Sequence, residues 1–259
     1  MSLLRTVYFV DSHYGYENVN GVRRPIHDKK AHSILLQIAS DFNPTHIVCG
    51  GDGLDCGSVS HHNTGKPRIT EGLRLAKDAE EFFLDVICPL SSSKVKKIYI
   101  TGNHERFIDD VIDGMPGLEG AVSFRGLLGL DTHGWDVIPL GGHVTVGGKL
   151  FYLHGDTVKG GQYQAKWAVE AYQRSVMFGH FHTSQRFTKH NALDATDIHR
   201  GFAVGCLCRR DPGYGRGAPN KWSQSFALIE EDSKTGQFQV TEVDIFNGKA
   251  IWGGKVYRG

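Results

Sequence analysis

An α/β layered fold is what the sequence predicts, on two observations. Three times in its first part, a short β-rich run gives way to a polar loop and then to a segment with helical apolar spacing, an alternation typical of layered α/β domains. Each of those runs ends in Asp, His or Asn, and in such sheets ligands bind beyond the carboxyl ends of the strands. A third feature marks the rest of the chain, where short β runs follow one another as hairpins.

Taken in order, Arg5 to Val10 is the first strand, ending in Asp11-Ser12-His13. The polar segment Tyr14 to Asp28 reads as a loop. Lys30 to Phe42 carries Ala31, Ile34, Leu35, Ile38 and Phe42 at helical spacing, and Asn43-Pro44 ends it. His46 to Cys49 is a second strand, followed by Gly50-Gly51-Asp52-Gly53-Leu54-Asp55 and a polar loop to about Thr70. Leu73 to Ile87 has helical spacing, and Pro89 with three serines breaks it. Lys97 to Thr101 is a third strand, running into Gly102-Asn103-His104-Glu105, where Gly102 lets the backbone turn. Phe107 to Leu130 reads as helical with Gly breaks. Short strands are expected at Trp135 to Pro139, His143 to Val146, Lys149 to His154 and Ser175 to Gly179, with one helix at Tyr163 to Tyr172. Further strands are expected around Phe187, at His199 to Val204, Phe226 to Glu230 and Gln237 to Asp244. No linker, low-complexity tract or repeat divides residues 1–259, which read as a single domain.

Composition is that of an ordinary soluble chain, 40% hydrophobic and 22% charged, with net charge +1, so bulk charge argues neither for nor against nucleic acid. The five cysteines, Cys49, Cys56, Cys88, Cys206 and Cys208, suggest neither a disulfide framework nor a Cys-x-x-Cys zinc site. Cys206 and Cys208 would share one face of a strand and read as small buried residues. No apolar run approaches the roughly 18 residues of a membrane span, and the N-terminal run, interrupted by Arg5, is too short for a signal-peptide core. A soluble, cytoplasmic protein is expected.

The chemistry lies in five clusters at the ends of apolar or β-rich runs: Asp11-x-His13, Gly51-Asp52-x-x-Asp55, Gly102-Asn103-His104-Glu105, His154-Gly155-Asp156 and Gly179-His180-Phe181-His182. They offer carboxylates, an amide oxygen and imidazoles without thiolates, a mixture that suits a pair of divalent transition metals better than one structural zinc. In a strand, Asp11 and His13 would point to one side, as would His180 and His182. The glycines at 51, 102 and 179 would leave room for backbone beside the ions. A single such pair is commonly structural; five in order are not a coincidence.

In these blocks the sequence resembles the calcineurin-like metallophosphoesterases, whose pattern is Asp-x-His, Gly-Asp-x-x-Asp, Gly-Asn-His-(Asp/Glu), His and Gly-His-x-His. All five blocks are present, from Asp11 to His182, about two-thirds of the chain. The tail, with Gly205-Cys206-Leu207-Cys208 and Asn220-Lys221-Trp222, resembles phage-encoded members. The resemblance implies a four-layered α-β-β-α sandwich of two mixed sheets, with a dinuclear site at the strand carboxyl ends. It implies a first metal on Asp11, His13, Asp52 and His182, and a second on Asp52, Asn103, His154 and His180, with Asp52 as bridge. His104 would protonate the leaving oxygen and Asp55 would hold its imidazole. The implied activity is hydrolysis of phosphomonoesters or phosphodiesters by a hydroxide that two metals activate. Mn²⁺ is the favoured pair, because mixed oxygen and imidazole ligands suit it, with Fe, Zn, Ni and Co as alternatives.

One departure bears on the substrate. Protein Ser/Thr phosphatases of this superfamily continue Gly-Asp-x-x-Asp with Arg-Gly, and here Cys56-Gly57 follows. Phosphatases, phosphodiesterases and nucleases acting on single-stranded ends stay open, as does a metal-binding scaffold without activity. The expected partner is a phosphate ester, with nucleotides and nucleic acid among the candidates, and no membrane. Two basic loops could meet a polyanion, Ser58 to Arg68 with His61, His62, Lys66 and Arg68, and Arg209 to Arg216 with Tyr214.

Overall fold

The computed structural model describes residues 3–213 and 219–259. Its strands are β1 (Leu3–Phe9), β2 (Tyr16–Val19), β3 (Val22–Pro25), β4 (His46–Cys49), β5 (Lys96–Ile100), β6 (Trp135–Ile138), β7 (Val144–Thr145), β8 (Leu150–Tyr152), β9 (Ser175–Phe178), β10 (Gln185–His190), β11 (Ile198–Ala203), β12 (Gln224–Asp232), β13 (Phe238–Ile245), β14 (Lys249–Trp252) and β15 (Lys255–Arg258). One six-stranded sheet runs β13-β12-β1-β4-β5-β6, and one five-stranded sheet runs β10-β11-β9-β8-β7. Both are mixed. β1, β4, β5 and β6 are parallel, with β12 antiparallel to β1. β8, β9 and β11 are parallel, with antiparallel edges β7 and β10.

Alternation along β1 explains the layering. Val7 and Phe9 face the helices, packing with Ile34, Leu35 and Ile38 of the helix Lys29–Phe42 and with Phe82 and Val86. Tyr8 and Val10 face the second sheet, with Val48, Ile98 and Ile100 against Leu150, Tyr152, Met177 and Phe202. The outer face of the second sheet, through Val176, Phe178 and Ala203, is covered by Ala168 and Val169 of the helix Gln164–Tyr172. The order of layers is therefore helix, sheet, sheet, helix, the α-β-β-α sandwich that the resemblance implies.

The helix Lys29–Phe42 is capped at both ends by residues suited to the task. Asp28 accepts from the N–H groups of Lys30 and Ala31, and Asn43 closes the last turn in a left-handed conformation. Three segments differ from expectation. Tyr14 to Asp28 is not a loop throughout: β2 and β3 form a hairpin whose turn is Asn20-Gly21, both at positive φ, the dipeptide that favours a two-residue hairpin turn. The helical run near Leu73 forms Leu75–Phe82 and then widens into a π-helical turn, Phe83–Ile87. The antiparallel pair β14 and β15 was not expected; its polar, Gly-containing sequence hides a strand pattern carried by few apolar residues. Phe107 to Leu130 holds the helix Arg106–Gly114, a 3-10 turn and the short helix Phe124–Leu127. Among the described residues, no helix is long and apolar enough to cross a membrane.

His32 sits in the core with its Nδ1 donating to the carbonyl of Asp28 at 2.8 Å and its Nε2 without a partner. Burial lowers its pKa to about 4. Below about pH 6.5 the unfolded chain takes up a proton that the folded chain refuses, so stability is lost as pH falls through this window. His32→Leu should remove about 1.4 kcal/mol per pH unit of that acid-driven loss, read from urea melts at pH 7.0 and 4.5 in chelator. An unchanged pH slope would contradict the assignment.

Candidate metal centre

The five clusters converge beyond the carboxyl ends of parallel strands of both sheets, three after β1, β4 and β5 and two after β8 and β9, as the carboxyl-end rule requires. The convergence is not made by strand alternation. β1 ends at Phe9 and β9 at Phe178. Asp11, His13, Asp52, His180 and His182 all adopt the left-handed region, with φ of 53°, 45°, 50°, 69° and 56°. The expectation that Asp11 and His13, or His180 and His182, share a strand face is thus replaced: kinked loops aim these side chains. Each such residue costs about 1–3 kcal/mol and persists only where surrounding structure over-determines it. Here the determination comes from main chain bonded to main chain. The N–H groups of Asp11, His13 and Tyr14 donate to the carbonyls of Gly51, Asp52 and Gly53, and Asp55 N–H donates back to Tyr14.

The glycines act by close approach. A Cβ at Gly51 would lie 2.7 Å from the nitrogen of Gly102, and one at Gly102 would lie 2.1 Å from Asp52 Oδ1. Gly102 has no positive φ, so its place is fixed by contact and not by a sharp turn. Gly179 likewise has no room for a Cβ, which would meet Val10 at 2.4 Å.

Two of these loops are tied by one buried carboxylate. Glu105, fully buried, accepts from the N–H groups of Gly53 (2.8 Å) and Leu54 (3.2 Å) and the Tyr99 hydroxyl (2.7 Å) at Oε1. At Oε2 it accepts from the N–H groups of Asp52 (3.1 Å) and Gly102 (2.9 Å). Sequence reasoning gave Glu105 no role; the only signal was its fixed place after Gly-Asn-His.

The candidate ligands fall into two groups whose ligating atoms lie within 4.8 Å of one another: Asp11 with His13 and His182, and Asp52 with His154 and His180. Between them, Asp52 Oδ2 is 3.4 Å from His154 Nε2 and 3.8 Å from His13 Nε2. Asn103 Oδ1 is 3.0 Å from His154 Nε2. Nε2 of His13 and Nε2 of His182 face each other at 3.1 Å, and His182 Nε2 is 3.8 Å from Asp11 Oδ2. Ligand atoms about 2.0–2.2 Å from a shared ion are themselves roughly 3–3.6 Å apart, so this spacing suits ions. Asp11 Oδ1 is buried without a partner while Oδ2 accepts from His180 N–H at 2.7 Å. His154 Nδ1 donates to the Gly50 carbonyl at 2.9 Å, which directs Nε2 inward. These observations fit a divalent pair.

The charges are set by neighbours. Burial opposes ionisation of Asp52, but the imidazoles of His154, His104 and His13 outweigh it and hold the carboxyl well below its usual range. Burial pushes Asp11 up to about 7. Burial would lower His13 and His154, yet Asp55 and Asp52 raise the first to about 9 and Asp52 raises the second to about 10. Burial lowers His180 to about 4 and holds His182 well below its usual value. The facing carboxylates thus favour protonated His13 and His154, and an ion held here would have to displace those protons.

His104 lines the same cavity, about 180 Å³, together with His13, Asp52, Asn103, His180 and His182. Its N–H donates to Asp52 Oδ1 at 2.9 Å, and its ring Nδ1 donates to the main-chain carbonyl of Asp55 at 2.7 Å. The Asp55 carboxylate lies farther from that ring, at 3.8 Å, and closer to His13 Nδ1, at 3.4 Å. The expected contact between the Asp55 carboxylate and the His104 ring is thus a longer one than that from the Asp55 carbonyl, and the carboxylate lies nearer to His13. Trp222, Ile26 and Pro212 complete the wall and were not predicted. The Trp222 ring stands edge-on to His182 at 4.1 Å.

Of the basic loops, His61 and His62 pack on Phe107, which also touches His104 at 5.0 Å. Arg209 and Arg210 border a second cavity beside the centre. Tyr214 to Arg216 lie outside the described residues. Cys206 and Cys208 are buried and unbridged, as expected, with Cys208 Sγ 4.0 Å from His182 Nδ1.

No family model and no curated protein matches the chain. Among solved structures it is similar to a phosphoesterase of E. coli, YfcE, at 15% identity and TM-score 0.39, over 94% of this chain and 100% of that one. It is also similar to TT1561 of Thermus thermophilus, at 11% identity and TM-score 0.39, over 93% and 99%. A third likeness is to purple acid phosphatase PPD1 of yellow lupin, at 14% identity and TM-score 0.41, over 93% and 53%. At such values a likeness carries no functional weight. Layer order and the sequence of loops agree with the resemblance to the calcineurin-like metallophosphoesterases drawn from the motifs.

Glu105→Gln should lose stability and metal together. The amide keeps one acceptor oxygen and turns an N–H₂ toward at least two main-chain donors, each costing about 1–3 kcal/mol when stranded. Denaturant melts and metal content measure this; wild-type values for both would remove the organising role.

Proposed function

We propose that the chain is a metal-dependent phosphoesterase of the calcineurin-like kind that hydrolyses phosphodiesters, phosphomonoesters or both with two divalent ions, most simply Mn²⁺. The observation that carries this reading is the pair of ligand groups meeting at Asp52, with His104 on the same cavity. Asp11, His13, Asp52 and His182 would hold one ion, and Asp52, Asn103, His154 and His180 the other. When bound, such a pair lowers the pKa of water and offsets charge on phosphoryl oxygens.

The chain's own residues do the rest. Asp52 has one oxygen turned to His104 N–H and the other toward His13 and His154, so one carboxylate couples the acid loop to both ligand groups. His104, anchored through Nδ1 to the Asp55 carbonyl, keeps Nε2 as the atom that can pass a proton to a leaving oxygen. His180 and His182, both lowered by burial, keep their lone pairs available at neutral pH.

A panel of phosphomonoesters, phosphodiesters, nucleotides and single-stranded DNA, assayed with Mn²⁺, Zn²⁺, Ni²⁺ and Co²⁺, tests the reading. Two bound metals with turnover are expected. Metal without turnover of any ester would favour a scaffold, and a single metal held by cysteines would sink the site. Asp52→Asn should lose activity and weaken both metals; full metal load with wild-type turnover would refute the bridge.

Leaving-group chemistry separates the roles of His104 and Asp55. General-acid help is worth about 10²–10⁴-fold for a poor leaving group and little for nitrophenolate. His104→Ala should therefore slow nucleoside or alkyl esters far more than nitrophenyl esters, with metal content near wild type. Asp55→Asn, which keeps the carbonyl that holds His104, should instead weaken metal binding through His13. Equal slowing of both ester types by His104→Ala would remove the acid role.

A further inference from the structure

We infer that the substrate is an extended ester carrying a nucleobase and a second phosphate, and that it runs from the metal centre across Trp222 into the neighbouring groove; this rests on the phosphoesterase reading above. The cavity at the centre, about 180 Å³, has room for a phosphoryl group and little of what it is attached to. The adjoining groove is about 830 Å³, lined in part by Tyr16, Lys30, Arg209, Arg210, Asn220 and Trp222, a size typical of sites for organic ligands. Trp222 lines both.

The wall between them is one layer thick, made of two extended segments side by side. His27 bridges to Cys208, and Arg209 N–H donates to the Ile26 carbonyl at 2.8 Å. Alternation along these segments turns Ile26 and Cys208 to the centre, and Pro25, His27 and Arg209 to the groove. The two cavities are thus neighbouring parts of one surface, with an aromatic ring at their junction.

The balance of charges selects the ligand. Arg209 is committed to Asp211, by Nε at 3.0 Å and Nη2 at 2.9 Å, and Arg24 shares that carboxylate. Lys29 pairs with Asp85 at 2.8 Å. The Asp28 carboxylate accepts from the helix N-terminus and from Gln224 at 2.9 Å. Among the described residues, Lys30 and Arg210 have no carboxylate partner; Arg210 lies over the Phe246 ring at 5.6 Å. Two cations beyond an aromatic rim match a base followed by a phosphate, because stacking accepts any base and the cations accept the anion. That chemistry occurs in an oligonucleotide chain and in a dinucleotide with a pyrophosphate.

The test compares bis(p-nitrophenyl) phosphate, a thymidine tetranucleotide and diadenosine pyrophosphate on the Mn²⁺-loaded full chain. Trp222→Ala and the pair Lys30→Glu with Arg210→Glu should each lower kcat/KM for a base-bearing substrate at least about tenfold relative to the nitrophenyl ester, chiefly through KM. Trp222→Phe should restore much of the Trp222→Ala loss. Preference for the tetranucleotide or the dinucleotide assigns the source. Equal losses on all three esters would overturn the inference and leave Trp222 as a support for His182. Titration of wild type with the tetranucleotide and the dinucleotide should quench tryptophan fluorescence, and Trp222→Phe should abolish the quench. If no ester is turned over by wild type, the phosphoesterase reading fails, while a quench lost in the charge-reversed pair still supports the groove. No quench by either nucleotide overturns it.

Discussion

Five hydrogen bonds to the carboxylate of Glu105 hold the centre together. Its oxygens take donors from both the Gly51–Leu54 loop and Gly102, and from Tyr99 on β5 between them. These N–H groups are buried with the carboxylate, and an unmade buried bond costs more than a made one gains. The two loops are therefore fixed as a unit, and that unit places Asp52, Asn103 and His104. The placement of these side chains thus rests on a residue that is not among the candidate ligands.

Strain at the site follows the same logic. Asp11, His13, Asp52, His180 and His182 are held in backbone conformations that side chains disfavour. The main-chain bonds that link 11–14 to 51–55 continue the β1–β4 pairing past the ends of both strands, so the sheet bears the strain of the loops. A regular strand would space ligands along an edge; kinked loops can turn several inward around a small volume. The cost is accepted where electrostatics require convergence.

Convergence also fixes the protonation pattern. Asp52 sits among three imidazoles and stays ionised despite complete burial, whereas at Asp11 desolvation outweighs the imidazoles nearby. Burial lowers His180 and His182, which favours their neutral forms, while the carboxylates facing His13 and His154 raise those two. Four histidines of one chemical kind thus behave as two pairs, distinguished by how closely a carboxylate faces each one.

The sequence by itself determined the layered α/β class, the positions of β4 and β5, the helix Lys29–Phe42 and the residues that meet at the centre. These were legible because period, caps and strand-end polar residues are local properties. It also showed Cys56 at the position where the protein Ser/Thr phosphatases of the resembled superfamily carry arginine. Tertiary structure alone decided how the residues meet. The left-handed kinks, the carbonyl rather than the carboxylate of Asp55 on His104, and the five donors on Glu105 all depend on main-chain atoms, which are the same for every residue type and leave no mark on composition or spacing. The β2–β3 hairpin was hidden in a polar stretch, and Trp222 reaches His182 from a distant part of the chain. Such contacts are set by which loops the two sheets bring to one end, and that is a property of the folded chain.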